Sequence, residues 1–141
     1  MCFFVCLALA KSHAPKLSAM SHVFDLTDVT DWSIGEATCG NRDRDGSFLI
    51  TIGGCSCFIS EVKNHRMGAS KLNELETLIS LLLQQVPSLS ILIHYADGDI
   101  SRERIMRKEK RLVLFDKLRG QFNRLEFDVR YVMKGLPRPF N

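Results

Sequence analysis

Three groups of residues in this chain have the types and spacing to do chemistry. The first is Glu61-Val62-Lys63, a carboxylate and an amine two positions apart. On a strand such a pair shares one face. Asp45 is the nearest acid upstream of it. The second is the run Ser101–Arg111, with six bases against two acids, among them Arg102, Arg104, Arg107, Lys108 and Arg111. A basic segment of this kind can track phosphates, although no aromatic residue is interleaved to stack bases. The third is sulfur. Five cysteines give an odd count with no disulfide framework, which points to reduced thiols and a cytoplasmic setting. A zinc set of Cys39, Cys55, Cys57 and His65 lacks the usual pair of close C-x₂₋₄-C knuckles.

Two lesser features complete the inventory. Asp97-Gly98-Asp99 follows an apolar run and reads as a turn, with Asp99 or Ser101 able to cap a helix after it. His22, His65 and His94 have no Ser or Cys partner at a telling spacing, and His94 reads as a satisfied core histidine.

These groups must be positioned by the surrounding elements. Ser47–Ile52 and Cys55–Val62 alternate like strands, and Gly53-Gly54 between them signals a hairpin with a tight primed turn. In 71–86, Leu72, Leu75, Ile79, Leu82, Leu83 and Val86 mark one helical face, with Ser70 as N-cap and Pro87 as the stop. Leu89–Tyr95 is an apolar strand, interior to the sheet. Leu112, Phe115, Leu118 and Phe122 form a helical stripe on the same side as the bases before them, so a change of element is expected near 108–111. Arg124–Val132 alternates as a half-exposed strand. Val23–Ile34 suggests an extended piece and then a short helical turn. The fold expected is α+β: a mixed sheet with an N-terminal hairpin, order β-β-α-β-α-β, and helices on one face.

An acid at a strand start, a hairpin, Glu-x-Lys on the second strand, a helix and an apolar strand: over Asp45–Tyr95 this resembles the PD-(D/E)xK nuclease superfamily. The resemblance implies that Asp45 and Glu61 hold a divalent metal, Mg, and that Lys63 assists the attacking water. The proline expected before the aspartate is replaced by Arg44. The turn tests this reading. A two-residue turn pairs Ile52 with Cys55, separates apolar from polar positions, and puts Asp45 on the face opposite Glu61. A three-residue turn with a bulge brings the two carboxylates together but mixes Cys55, Cys57 and Ile59 with Asp45, Ser47 and Thr51. The hydrophobic pattern favours the first register.

The chain has 141 residues and an ordinary globular composition, 45% hydrophobic and 25% charged. That suits one domain, and no run reaches the roughly 20 apolar residues of a membrane span. The net charge of +3 is unevenly spread. Residues 21–61 carry seven acids and two bases, and residues 62–141 carry fifteen bases and nine acids. The basic half suits an acidic partner or a polyanion. Residues 1–20 are expected to be a dispensable extension to a single domain at 21–141, with Met20 as an alternative start. Together these features point to a small soluble protein that acts by binding, without cofactor, in the manner of an accessory subunit or an immunity- or antitoxin-like partner of another protein. A metal-dependent nuclease using Asp45, Glu61 and Lys63 is the alternative, and a nucleic-acid binder using 102–111 the second.

Overall fold

The computed structural model describes residues 2–59 and 66–135, with the side chains of 66–69 left aside. Its first element overturns an expectation. Cys2–Ala10 (β1) lies in the interior of the sheet, antiparallel to Asp45–Thr51 (β3) on one side and to Leu89–Ala96 (β4) on the other. Val5, Cys6 and Leu7 are fully buried. Residues 2–10 are thus built into the sheet, contrary to the expectation of an appendage. The physical reason lies in the burial. A strand covered on both faces shows an unbroken apolar run and no alternation, so "CFFVCLALA" carries no polar period to mark it as a strand.

A 3₁₀ turn at Lys11–His13 and a short helix Ala14–Met20 (α1) lead from β1 to the edge strand Asp25–Asp28 (β2). Pro15 sits in the first turn of α1, where its missing N–H is harmless. The helix Ser33–Thr38 (α2) follows, then β3. After a second 3₁₀ turn at Cys57–Ile59 come the long helix Arg66–Leu83 (α3), β4 and the strand Glu109–Leu114 (β5). A short helix Phe115–Leu118 (α4) and the strand Val129–Lys134 (β6) end the described chain. The six strands lie in the order β2-β3-β1-β4-β6-β5, all antiparallel neighbours except β5 and β6, which run parallel. The sheet is mixed and the fold is α+β.

The sheet has a core on each side. On one face Val5, Leu7, Ile50, Ile91 and Ile93 meet α3 through Leu72, Leu75, Leu78, Ile79 and Leu82, the side chains that the 3.6-residue spacing brings together. On the other, Phe4, Cys6, Leu49 and Leu92 meet α2 through Ile34 and Ala37. Helices therefore cover both faces, not one. Close approach of α2 is possible because Gly35 has no side chain: a Cβ there would stand 1.8 Å from the Val29 carbonyl oxygen.

The expected hairpin forms only at its tip. Gly53 and Gly54 take φ of 65° and 94°, and Ile52 bridges Cys55, with the Ile52 N–H donating to the Cys55 carbonyl at 2.9 Å. This is the two-residue turn with both glycines at positive φ. The second strand does not continue through Cys57–Ile59, because β1 and β2 already occupy both edges of β3. α3 begins before Ser70, so Ser70 is inside the helix and not its cap. A change of element does fall near 108–111, where an irregular segment gives way to β5 at Glu109. The stripe divides there: Phe115, Leu118 and Phe122 enter the core, while Leu112 stays 69% exposed on the strand.

Candidate functional site

Of the three residues of the nuclease reading, only Asp45 is placed; Glu61 and Lys63 lie outside the described residues. Asp45 opens β3 on the α2 side. Its Oδ2 accepts from the N–H groups of Gly40 (3.0 Å) and Asn41 (3.1 Å), which ties down the loop before the strand. The turn itself is the two-residue one, with Ile52 bridging Cys55.

The basic segment is not a helix. Ile105 anchors it, buried against the α2-side core, with its N–H donating to Ser33 Oγ at 2.8 Å. Around this pin Arg102, Arg104, Arg107 and Lys108 are exposed. Arg111 is differently placed. It pairs with Glu109 (2.6 Å) and Glu126 (3.0 Å) and lies over the Tyr131 ring, on the face away from Lys110. Its charge is already neutralised by its neighbours.

Where this segment enters β5 the sheet exposes a surface. α2 packs on β3, β1 and β4, and on the same side of β5 Leu112 and Leu114 stand exposed. The parallel register sets Lys110 beside Arg130, Leu112 beside Val132 and Leu114 beside Lys134. Leu112 is 69% and Leu114 43% exposed. Among the described residues, no ion pair neutralises Lys110, Arg130 or Lys134. Arg130 reaches across the sheet: its Nε donates to Ser90 Oγ on β4 at 3.0 Å. Its guanidinium seats on Gly40, where a Cβ would meet Nη2 at 2.6 Å. Partial burial, and then the charge of nearby Arg107, lower the Arg130 guanidinium from its ordinary value. Ala8, Ser90, Asp45 and His13 line a cleft of about 130 Å³ beside it.

Sequence reasoning missed Lys110, Arg130 and Lys134 as a group. The signal was available as Lys-x-Leu-x-Leu and Arg-x-Val-x-Lys, two runs of period two, but only the parallel pairing brings them side by side.

A second polar cluster lies at the end of β4. His94 is buried, with Nδ1 2.6 Å from Asp128 Oδ1 and Nε2 2.7 Å from Glu103 Oε1. The Glu103 carboxylate also accepts from the N–H groups of Asp97 and Gly98. The hydrogen bond from His94 first, and then these N–H groups, hold it below its ordinary value. Asp128 takes a left-handed φ of 62°, donates its N–H to Ile93 and accepts from Lys108 N–H. The cluster thus fastens β4, the 97–103 turn and the start of β5 together. Asp99 closes the turn, its Oδ1 accepting from Ser101 N–H and Oγ, but no helix follows for it to cap. Among the described residues no helix is long and apolar enough to cross a membrane. No family model, curated protein or solved structure matches this chain.

Proposed function

We propose that this protein is a non-catalytic binding module, an accessory subunit or immunity- or antitoxin-like partner, whose docking surface is the β6–β5 face. The observation that carries the reading is the stripe Leu112, Val132 and Leu114 lying exposed or half-exposed between Lys110, Arg130 and Lys134, of which Lys110 and Lys134 form no ion pair among the described residues and Arg130 has only Asp45 near it. Exposed aliphatic groups beside unpaired cations suit a protein segment that brings both apolar side chains and carboxylates. β5 is also an edge strand, so half of its backbone groups point outward and can pair an added strand. Nucleic acid fits less well. The apolar groups of this face are aliphatic, whereas single-strand readers stack bases on aromatic rings. The exposed Phe127 packs with Phe3 and Tyr95 elsewhere.

The test is site-specific cross-linking in extract of the source cells. A photo-reactive residue at Leu112 is expected to capture a protein through an acidic segment, and Lys110→Glu with Lys134→Glu to abolish capture. Capture of nucleic acid at that position, or a protein captured equally well by the doubly reversed variant, would overturn the reading. So would magnesium-dependent cleavage of plasmid DNA that Lys63→Ala removes.

A further inference from the structure

The five cysteines fall into two sets. Cys6 and Cys39 are buried on the α2 side, Cys39 with its Sγ 2.7 Å from Ser47 Oγ. The zinc set with Cys39 is therefore not assembled, and its His65 lies outside the described residues. The other three cysteines converge. The sulfurs of Cys2, Cys55 and Cys57 all lie within 4.8 Å of one another, and each residue is half-buried.

The convergence has a structural cause. The Gly53-Gly54 turn reverses the chain immediately after β3. Ser56 then enters the protein. It is fully buried, its N–H donates to Phe3 O at 2.8 Å, and its Oγ accepts from Val5 N–H and donates to Ile50 O. With Ser56 pinned inward between β1 and β3, Cys55 and Cys57 on either side of it stay half-buried. Cys2, next to Phe3 at the start of β1, meets them there. Cys-Ser-Cys is thus a two-toothed clip whose middle residue is the anchor, and the third tooth comes from another strand.

Three sulfurs at this spacing match one class of ligand. Thiolates select soft cations, while magnesium and calcium require oxygen. Tetrahedral zinc with Zn–S of about 2.3 Å sets its sulfurs about 3.8 Å apart, inside the 4.8 Å that bounds the present spacing. Three crowded thiolates repel each other, and a bound cation removes that repulsion.

We propose that Cys2, Cys55 and Cys57 form a three-thiolate site for a zinc-class cation, with a fourth coordination position left to water or another ligand. Binding transfers three protons from the thiols to solvent as three metal–sulfur bonds form, so affinity rises with pH.

The experiment titrates the reduced full-length protein with Co²⁺ and Zn²⁺. One equivalent of Co²⁺ is expected to give thiolate-to-cobalt charge-transfer absorption that Zn²⁺ displaces. Cys57→Ser and Cys2→Ser each weaken binding by about 100-fold or more, at least the upper loss seen when an outer-shell partner is removed. Cys39→Ala binds as the parent does. Alkylation followed by mass spectrometry needs no variant: zinc protects Cys2, Cys55 and Cys57 together. Absence of charge-transfer absorption, unchanged binding in Cys57→Ser, or a disulfide as the sole product with no metal taken up overturns the proposal.

Discussion

His94 shows what single residues do in this fold. The sequence marks it as a core histidine on an apolar strand, and it is buried; its two carboxylate partners come from Glu103 and Asp128, far apart along the chain. No local pattern announces such a pairing, because it depends on the 97–103 turn folding back and on Asp128 taking a left-handed backbone. Two hydrogen bonds to two carboxylates need a proton on each ring nitrogen or on one of the acids. Loss of the ring leaves both acids without that partner, so His94→Ala is expected to cost about 2 kcal/mol in urea unfolding at neutral pH. Glu103 supplies a pH signature. Its carboxyl sits below the ordinary value of 4.5, so its contribution is fully present above about pH 4.5. That contribution is lost as pH falls from there through the lower folded-state value. Asp28 and Asp99 are lowered too, by their own hydroxyl and N–H partners, so the whole protein weakens in acid. Glu103→Gln isolates one share: the urea midpoint of the variant should fall less steeply between about pH 5 and pH 3 than that of the parent. Parallel curves would assign Glu103 no such role.

Elements were legible where a period or a bounding turn signal marked them. The α3 stripe follows from periodicity, the Gly53-Gly54 turn from turn chemistry, and β4 from an apolar run bounded by Pro87 and Asp97-Gly98. β1 escaped because both its faces are covered and, unlike β4 after Pro87, no turn signal stands before it, and β5 because Leu112 continues a helical spacing into Phe115, Leu118 and Phe122. In β5, tertiary pairing with β6 overrides the local period. Two predictions belong at this scale. A chain started at Met20 lacks the strand that joins β3 to β4. It should show no cooperative unfolding transition in urea, whereas a dispensable extension would leave the transition unchanged. The turn is the second. Space around Gly53 is open, so a side chain there meets only the backbone penalty of positive φ. Gly53→Val should destabilise by about 1–2 kcal/mol, and Gly53→Asn by clearly less, since asparagine tolerates that region. Equal losses in both would mean that the turn does not hold its left-handed geometry in solution.

At the scale of the whole molecule the sheet order turns a sequence asymmetry into a spatial one. β2, with exposed Asp25 and Asp28, forms one edge, and β5, with Lys108 just before it and Lys110 within it, forms the other. The acidic run 21–61 and the basic run 62–141 thereby give the sheet edges of opposite sign. A field of this kind steers an acidic partner to β5 and acts chiefly on the rate of encounter, while desolvated apolar contacts set the lifetime of the complex. The proposed docking face separates the two effects. Lys110→Glu with Lys134→Glu takes the net charge from +3 to −1. Lys117→Glu with Arg124→Glu makes the same change at positions outside the β6–β5 stripe. With the cross-linked partner in hand, surface plasmon resonance should show association slowed by about tenfold or more for the first pair, and by much less for the second. Leu112→Ala should leave association nearly unchanged and speed dissociation. Raising salt from about 0.05 M to about 0.3 M should slow the parent as the first pair does, because screening removes the same attraction. Equal slowing by both pairs would place the attraction in net charge alone and take the docking surface away from β5.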